Sequence, residues 1–341
     1  MAHFRFAILG AGFIARKWLE AIEARGDCEV VGIASRSREI AAALKRDFKA
    51  AREATLYAGW QEAVDSSEAE GVLVTLPQAL HPEAVIRALR SGRHVLCEKP
   101  LSIDLSGARA VYEETLKHPR LVVMLDQNFR WRPHVQTLRR AIREGNAGRI
   151  DHVMYECRQQ IRRKTVNAWR EKMQEPYLLD FAIHHFDLIR FLTGDEPARI
   201  AGMSFRPSWS WYEGNSAAAA ILVMESGTVV DYGGTMVSMG LETPQEGLLT
   251  FIGDKGTLRL DGESRVTIHG QGEVRDLTQE PIDGGELGYA LAEFLSAVRQ
   301  KRPPETHVAE HIRSLAIVLA VMESSRRSGF VSLEEFTGFL Q

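Results

Sequence analysis

Short apolar runs alternate with amphipathic segments over the first 125 residues of the chain. The runs are rich in Val, Leu and Ile and are bounded by glycine or proline, which is typical of strands buried on both faces of a sheet. They predict strands at residues 6–9, 29–34, 71–76, 94–98 and 121–125. Residues 14–24 carry apolar side chains on one stripe and residues 82–90 have proline in the first turn, so both predict helices. The alternation predicts a doubly wound parallel sheet with helices on both faces.

The second part of the chain has a different pattern. Residues 133–144 and 179–192 predict helices that end at glycine, and the polar stretch 162–176 predicts a loop. Strands are predicted at residues 150–161, 198–204, 217–224, 228–237, 248–252, 257–260 and 266–269, with hairpin turns at 225–227 and 253–256. The last two predicted elements are helices at residues 286–300 and 307–325. This part therefore predicts an α+β domain whose sheet is mainly antiparallel.

These two patterns predict a first domain over residues 1–125 and a second over residues 126–341. The helix at residues 307–325 is a candidate for packing back on the first domain. Two domains agree with a length of 341 residues, since a domain averages about 150 residues.

The charge balance and the cysteines exclude several classes of protein. The 42 basic and 45 acidic side chains leave a net charge of −3, without the basic excess typical of nucleic-acid binding. No apolar run approaches the roughly 18 residues that span a bilayer, and the N-terminus lacks a signal-peptide pattern. Cys28, Cys97 and Cys157 are odd in number and far apart, which predicts neither a disulfide framework nor a metal site. We expect a cytoplasmic enzyme that binds no nucleic acid, membrane or metal.

A dinucleotide fingerprint lies at the first junction between a strand and a helix. Residues 10–15 (GAGFIA) fit the pattern G-x-G-x-x-G/A. Gly10 permits the tight turn, Gly12 lets a pyrophosphate approach the backbone, and Ala15 lets the helix pack closely. The phosphates then lie at a helix N-terminus, where free N–H groups favour negative charge. The alternative is a glycine-rich turn with no ligand.

The end of the second predicted strand indicates which dinucleotide binds. An NAD site usually has Asp or Glu here for the ribose 2′-hydroxyl, whereas this chain has Ser35, Arg36, Ser37 and Arg38. Hydroxyl and guanidinium groups suit a 2′-phosphate, so we expect NADP(H) to be preferred over NAD(H). The alternative is that the arginines are solvated and NAD binds.

Three side chains are candidates for acid–base chemistry. Lys99 follows the strand at residues 94–98, and the carboxyl ends of parallel strands face the cofactor crevice. Asp180 and His184 are four apart on a predicted helix and share a face, so the carboxylate can orient an imidazole that accepts a hydroxyl proton. The alternatives are a surface lysine, a capping carboxylate and a partly buried core histidine.

Together these residues resemble the Gfo/Idh/MocA family of glucose–fructose oxidoreductases and inositol dehydrogenases. The resemblance covers nearly the whole chain. The matching motifs are GAGFIA at 10–15, PQALH at 77–81, EKP at 98–100, QNFRWRP at 127–133, DFAIHHFD at 180–187 and GDKGTL at 253–258. The most specific part is EKP followed about 80 residues later by D-x-x-x-H.

The resemblance implies a Rossmann domain, a second domain with a large open sheet, and reversible hydride transfer between a nicotinamide and a carbon of a sugar or cyclitol. It implies that Lys99, Asp180 and His184 are catalytic: His184 removes the alcohol proton, Lys99 stabilises the alkoxide and Asp180 orients the imidazole. It places the cofactor at Gly10, Gly12, Phe13, Ile14, Ser35, Arg36, Leu76, Pro77, His81, Glu98 and Lys99. It also implies a homodimer or homotetramer formed through the second sheet.

Two departures bear on the substrate. The usual Thr-Pro-Asn is Leu76-Pro77-Gln78, and residues 175–179 replace a glycine cluster before Asp180. The first changes the polar contacts beside the cofactor without removing the turn. The second changes the shape of the substrate pocket, so no particular substrate is carried over.

Candidate contacts of a polyol or sugar substrate are Arg130, Trp169, Arg170 and His185. The aromatic stretch at residues 208–212 favours the core or a subunit interface over substrate contact. Arg162, Arg163 and Lys164 are open to two interpretations, an anionic substrate or a solvated face. A non-catalytic NAD(P)-binding sensor is the rival class, although a sensor has no need of all three catalytic residues.

Overall fold

The computed structural model describes residues 3–161, 169–270, 272–279 and 281–340. Residue contacts divide the chain into two compact units. The first unit comprises Met1–Trp131 and Ile282–Ile312, and the second comprises Arg132–Pro281 and Arg313–Gln341. The predicted loop at 162–176 lies partly outside the described residues, as do Arg162, Arg163 and Lys164.

The helices and strands are as follows. The strands are β1 Phe4–Leu9, β2 Cys28–Ala34, β3 Thr55–Tyr57, β4 Gly71–Val74, β5 His94–Cys97, β6 Val123–Leu125, β7 Ile150–Arg158, β8 Pro197–Phe205, β9 Ala217–Met224, β10 Val229–Thr235, β11 Leu248–Gly253, β12 Thr257–Leu260, β13 Val266–Gly270, β14 Glu273–Leu277 and β15 Val331–Ser332. The α-helices are α1 Phe13–Arg25, α2 Arg38–Asp47, α3 Trp60–Ser66, α4 His81–Arg90, α5 Leu105–Lys117, α6 Pro133–Arg143, α7 Ile183–Thr193, α8 Gly285–Gln300, α9 Val308–Arg327 and α10 Glu334–Thr337.

The first unit contains a six-stranded parallel sheet in the order β3-β2-β1-β4-β5-β6. This is the order of doubly wound dinucleotide-binding sheets, and the direction of winding reverses between β1 and β4. The predicted parallel sheet is therefore confirmed. Prediction missed β3, because its three residues are only partly buried and form no apolar run.

Helix α8 belongs to the first unit, whereas the predicted domain boundaries place it in the second. Its Phe294 ring lies 5.8 Å from the ring of Phe4 and 5.7 Å from that of Phe6, and all three are buried. Burying a phenylalanine in this way contributes about 2 kcal/mol. The apolar stripe of α8 predicts a buried helix but does not specify the sheet against which it packs.

The second unit contains a nine-stranded sheet in the order β14-β13-β12-β11-β7-β10-β9-β8-β15. Neighbouring strands are antiparallel except β7 and β10, which are parallel. Along β7, Val153, Tyr155 and Cys157 are buried and alternate with exposed residues, so one face of the sheet packs on the interior. The predicted α+β arrangement is confirmed. Prediction missed β14, since its residues are mostly exposed and show no alternation.

The predicted helix at residues 179–192 differs from the observed one in its first turns. Tyr177–Ala182 form a π-helix, and the regular helix α7 begins at Ile183. Such wide turns are uncommon and often occur at functional sites. Within the described parts of the chain, no helix combines the length and apolar character needed to cross a bilayer.

Candidate active site

The turn after β1 has the geometry of a phosphate-binding turn. Gly10 has a φ of +106°, and a Cβ there would lie 2.7 Å from the carbonyl oxygen of Thr75. At Gly12, by contrast, no described atom lies within 4 Å of where a Cβ would be. Gly12 is also the N-cap of α1, and no described side chain caps the helix there. The first N–H groups of α1 can therefore donate hydrogen bonds to a pyrophosphate, which fits a dinucleotide.

Two groups of predicted cofactor residues surround this turn. Phe13 is 70% exposed in the first turn of α1, and Pro77 is exposed after β4. At the end of β2, Ser35 Oγ accepts a hydrogen bond from Ser37 N at 3.1 Å, and Arg36 is exposed. The end of β2 therefore carries hydroxyl and guanidinium groups, and the preference for NADP(H) stays a prediction.

The backbone around Lys99 is held on both sides. On the near side, Glu98 N donates to Val74 O at 2.9 Å, and the buried Glu98 side chain accepts a hydrogen bond from Trp18 Nε1 at 2.9 Å. The Lys99–Pro100 peptide is cis. On the far side, Leu101 N donates to a histidine ring nitrogen, Nε2 of His311, at 3.1 Å. Lys99 thus lies at the carboxyl end of β5 on a fixed backbone.

His81, predicted to contact the cofactor, is 1% exposed and connects two segments of backbone. Its Nδ1 lies 2.7 Å from Pro100 O and its Nε2 lies 2.8 Å from Leu76 O. Burial lowers the pKa of His81, although the two carbonyl oxygens oppose this. His81 therefore holds the turn after β4 next to the backbone that carries Lys99.

In the second unit, Asp180 lies in the π-helix and His184 in the first turn of α7. His184 is 6% exposed. Asp180 Oδ2 lies 2.8 Å from Nε of Arg170, whose guanidinium also lies 4.9 Å from the ring of Trp169. Arg170, predicted to bind substrate, therefore also neutralises the predicted catalytic carboxylate. This pair could not be predicted, because Arg170 lies in an irregular segment.

Two other candidate substrate contacts lie in buried networks. Arg130 is 3% exposed and its Nη2 pairs with Glu310 Oε1 at 2.8 Å within the first unit. His185 is fully buried in the second unit, and its Nε2 lies 2.9 Å from Gln245 O. Both side chains are thus held in hydrogen-bonded networks within their own unit, and substrate contact by Arg130 and His185 stays a prediction.

Behind the π-helix, His185 Nδ1 lies 2.8 Å from the Tyr232 hydroxyl, which lies 2.7 Å from the Tyr177 hydroxyl. Burial lowers the pKa of His185 to about 4, so the ring is neutral. Since Nε2 faces a carbonyl, it carries the proton, and Nδ1 accepts from Tyr232, which accepts from Tyr177. This chain of hydrogen bonds anchors the start of the π-helix. No sequence motif points to Tyr232, which occupies an ordinary strand position.

The predicted aromatic stretch contacts the backbone that follows β7. Trp211 Nε1 and the Tyr212 hydroxyl both donate to Ile161 O, at 3.1 and 2.9 Å. Trp209, 61% exposed, donates through Nε1 to Val237 O at 2.9 Å. These three side chains hold loop backbone in the second unit.

The sheet order and phosphate turn of the first unit, followed by a mainly antiparallel second unit, define a dinucleotide-binding oxidoreductase. Residues 4–126 match the "Oxidoreductase family, NAD-binding Rossmann fold" and residues 135–259 match the "GFO/IDH/MocA C-terminal domain". The two matches together span well over half the chain. The chain belongs to the GFO/IDH/MocA family, as the motifs predict.

Full-length relatives carry dehydrogenase and reductase names. The chain is 27% identical to the 1,5-anhydro-D-fructose reductase of Ensifer adhaerens, over 97% of this chain and 98% of that protein. It is 26% identical to the D-apiose dehydrogenase of Paraburkholderia graminis, over 97% and 90% of the two chains. These similarities confirm the predicted enzyme class and do not favour a non-catalytic sensor.

Solved structures share the fold. An oxidoreductase from Agrobacterium radiobacter in complex with NAD+, L-tartaric acid and magnesium has a TM-score of 0.88, at 19% identity, over 98% of this chain and 99% of the other. Levoglucosan dehydrogenase in complex with NADH has a TM-score of 0.85, at 20% identity, over 97% and 99%. Both likenesses extend over both units of the chain.

Proposed function

We propose that this protein transfers a hydride between a nicotinamide cofactor and a secondary alcohol or ketone carbon of a sugar, cyclitol or derivative. The position of Lys99 carries the proposal, because it follows β5 at the carboxyl edge of the sheet, where doubly wound folds bind ligands. Its backbone is held on both sides. The names of the relatives, which act on sugars, support the substrate class.

Each residue of the proposed catalytic set has a distinct task. Bound nicotinamide supplies the hydride acceptor or donor at its C4. His184 holds the proton that the alcohol loses, at a ring nitrogen whose ordinary pKa lies near neutrality. Lys99 donates a hydrogen bond to the same substrate oxygen and stabilises its developing negative charge. Asp180 stabilises the charged imidazolium, and Arg170 positions the Asp180 carboxylate through their ion pair.

The proposed cofactor residues lie in the first unit. They are Gly10, Gly12, Phe13, Ile14, Ser35, Arg36, Leu76, Pro77, His81, Glu98 and Lys99. The glycines admit the pyrophosphate, and His81 acts by fixing the backbone of two neighbouring segments.

Two substitutions test the catalytic set. Lys99→Met and His184→Ala should each lower kcat by about 100-fold or more, since each removes a group that acts on the reacting oxygen. Absorbance of the reduced cofactor is followed over a panel of polyols, aldoses and inositols. Lys117→Met, which changes a lysine that is 63% exposed, is the matched control and should leave kcat unchanged. The dissociation constant of the cofactor should change little in His184→Ala and Lys117→Met, and cofactor binding should survive in Lys99→Met. Unchanged turnover in Lys99→Met or His184→Ala overturns the assignment.

The cofactor is NADP(H) in preference to NAD(H). The support is the cluster of Ser35, Arg36 and Ser37 with no carboxylate at the end of β2, although Glu39 follows in the first turn of α2. Fluorescence titration should give a lower Kd for NADPH than for NADH. Arg36→Ala should weaken NADPH binding about tenfold with little effect on NADH, whereas exposed Arg52→Ala should affect neither. Tighter binding of NADH by the wild type contradicts the preference.

The protein assembles through the open face of the nine-stranded sheet, as a homodimer or homotetramer. Met154, Met203 and Ile221 are 50%, 59% and 44% exposed on that face and line a groove of 1360 Å³. Exposed apolar side chains that share one surface mark a candidate interaction site. Light scattering should show an oligomer. Ile221→Glu should dissociate this oligomer, whereas Met239→Glu, on an exposed loop, should leave it intact. A monomeric wild type at micromolar concentration refutes the assembly.

A further inference from the structure

A histidine of helix α9 lies beside the backbone that follows Lys99. The residues just before α9 pair with β6, since Leu125 N donates to Thr306 O at 2.9 Å. This pairing brings the first turn of α9, which belongs to the first unit, to the strand next to β5. His311 lies in that turn and is fully buried, and its Nε2 accepts a hydrogen bond from Leu101 N at 3.1 Å.

The N–H of Leu101 needs this acceptor. Leu101 is fully buried, and a buried backbone N–H without a partner is strongly destabilising. Pro100, which precedes it, has no N–H, so Leu101 supplies the first backbone donor after Lys99. His311 therefore holds the chain at the first position after Lys99 where a backbone N–H is present.

The same hydrogen bond determines where the His311 ring carries its hydrogen. A ring nitrogen that accepts a hydrogen bond has a free lone pair, so Nε2 bears no hydrogen and the ring is not an imidazolium. A neutral imidazole then carries its hydrogen on Nδ1. Nδ1 lies 3.2 Å from the side-chain amide of Gln127, a residue that is 1% exposed.

The amide of Gln127 completes the arrangement. The N–H at Nδ1 requires an acceptor, which the amide oxygen supplies, whereas the amide nitrogen would bring two donors together. The two ends of an amide have nearly the same shape, so the hydrogen-bond network decides its orientation. With the amide nitrogen toward His311, Oε1 of Gln127 would be buried with no hydrogen-bond partner among the described residues. Oε1 therefore accepts from Nδ1 of His311 and fixes the ring.

We propose that His311 is a positioning residue for Lys99: as a neutral ring with its hydrogen on Nδ1, it accepts the Leu101 N–H and so fixes the backbone that presents the Lys99 ammonium. The inference rests on the proposed role of Lys99 in stabilising the substrate alkoxide. Displacing a catalytic group by about 1 Å can lower turnover about 100-fold, so a fixed backbone matters to the rate. His311 is fully buried and acts through Lys99.

Replacing His311 by each of the two amides separates its acceptor from its polarity. The side-chain oxygen of Gln is as many bonds from Cα as Nε2 is and can accept from Leu101 N, whereas that of Asn reaches only the place of Nδ1. His311→Gln should keep kcat within about threefold of the wild type, and His311→Asn should lower it about 10- to 100-fold. The loss should fall on kcat with KM little changed, because Lys99 acts on charge that develops in the transition state. His118→Asn, at a partly exposed position, is the control and should leave kcat unchanged. A His311→Gln variant as slow as His311→Asn overturns the proposal.

A double-mutant cycle with Lys99→Met shows whether His311 acts through Lys99. In the Lys99→Met background, His311→Asn should change kcat by less than about threefold, because the group that His311 positions is already absent. A merely structural role would give the same loss in both backgrounds, and that result refutes the positioning role. Cofactor binding, measured by fluorescence titration, should survive in every variant, which shows that the first unit is folded.

Nuclear magnetic resonance of the wild type locates the hydrogen directly and needs neither substrate nor turnover. In protein with isotope-labelled histidine, the ring signal that His311→Gln removes should show hydrogen on Nδ1 and none on Nε2. A hydrogen on Nε2, or on both nitrogens, contradicts the proposal. The measurement is independent of the proposed function: full turnover in Lys99→Met refutes the catalytic role of Lys99, whereas the His311 ring keeps its hydrogen on Nδ1.

Discussion

Glu246 is a buried carboxylate whose contribution to stability can be worked out from its surroundings. It is 3% exposed on the turn between β10 and β11. Oε2 pairs with the guanidinium of Arg132, and Oε1 lies 2.6 Å from Nε2 of His134 and accepts from Ser264 Oγ at 3.2 Å. The carboxylate therefore clamps this turn to the start of α6.

The pKa of Glu246 gives the size of its contribution to the free energy of unfolding. Burial raises it, but Arg132 and His134 outweigh burial and lower the pKa of Glu246 from its ordinary 4.5 to about 2. At about 1.4 kcal/mol per pKa unit, the ionised form contributes about 3 kcal/mol to folding. Because the folded pKa is depressed, this contribution is complete above pH 4.5 and is lost as the pH falls toward 2. Glu246→Gln should therefore lower the free energy of unfolding by about 3 kcal/mol at pH 7.

Urea unfolding followed through hydrogen exchange of amides in β7 and β10 reports the second unit separately. The difference between wild type and Glu246→Gln should be constant from pH 7 to pH 5 and shrink below pH 4.5. Glu263→Gln, at a carboxylate that is 77% exposed, is the control and should stay within about 0.5 kcal/mol of the wild type. A difference below 1 kcal/mol at pH 7, or one that does not change with pH, refutes the reasoning.

Three further substitutions have defined outcomes. Gly10→Ala places a Cβ 2.7 Å from a carbonyl oxygen at a φ of +106°, so nucleotide affinity should fall at least about tenfold; unaltered titration curves would count against a phosphate turn here. Gly234→Ala places a Cβ against the Tyr177 hydroxyl, so the free energy of unfolding should fall by about 2 kcal/mol or more, and an unchanged Tm contradicts this. Trp18→Phe removes the hydrogen bond to buried Glu98, and denaturant unfolding should show a loss of about 2 kcal/mol; a loss below 0.5 kcal/mol argues against the bond.

The doubly wound sheet was predictable because its strands are buried on both faces. Strands such as β1 and β4 are almost wholly apolar and stand out against the amphipathic helices between them. Strands β3 and β14 were missed for the converse reason: their pairing is maintained by backbone hydrogen bonds, while the side chains of β3 are only partly buried and those of β14 are mostly exposed.

The candidate site was predictable where a residue directly follows a strand or where two residues lie at helical spacing. Lys99 was identified because it directly follows a strand of the parallel sheet, whose carboxyl edge faces the ligand crevice. The ion pair of Arg170 with Asp180 and the hydrogen bonds of His185 escaped prediction, since their partners lie far away in the sequence or on irregular backbone. Their spacing along the chain carries no periodic signal.

The sequence by itself determined the two-part architecture, the phosphate turn and the identity of the candidate catalytic residues, because these depend on local periodicity and on short motifs. Only the tertiary structure decided that α8 packs on the first sheet and that Asp180 lies in a π-helix paired with Arg170. Each of these depends on burial and on charges brought together from distant positions. The energy of a buried charge is set by its neighbours in space, which the order of residues along the chain does not specify.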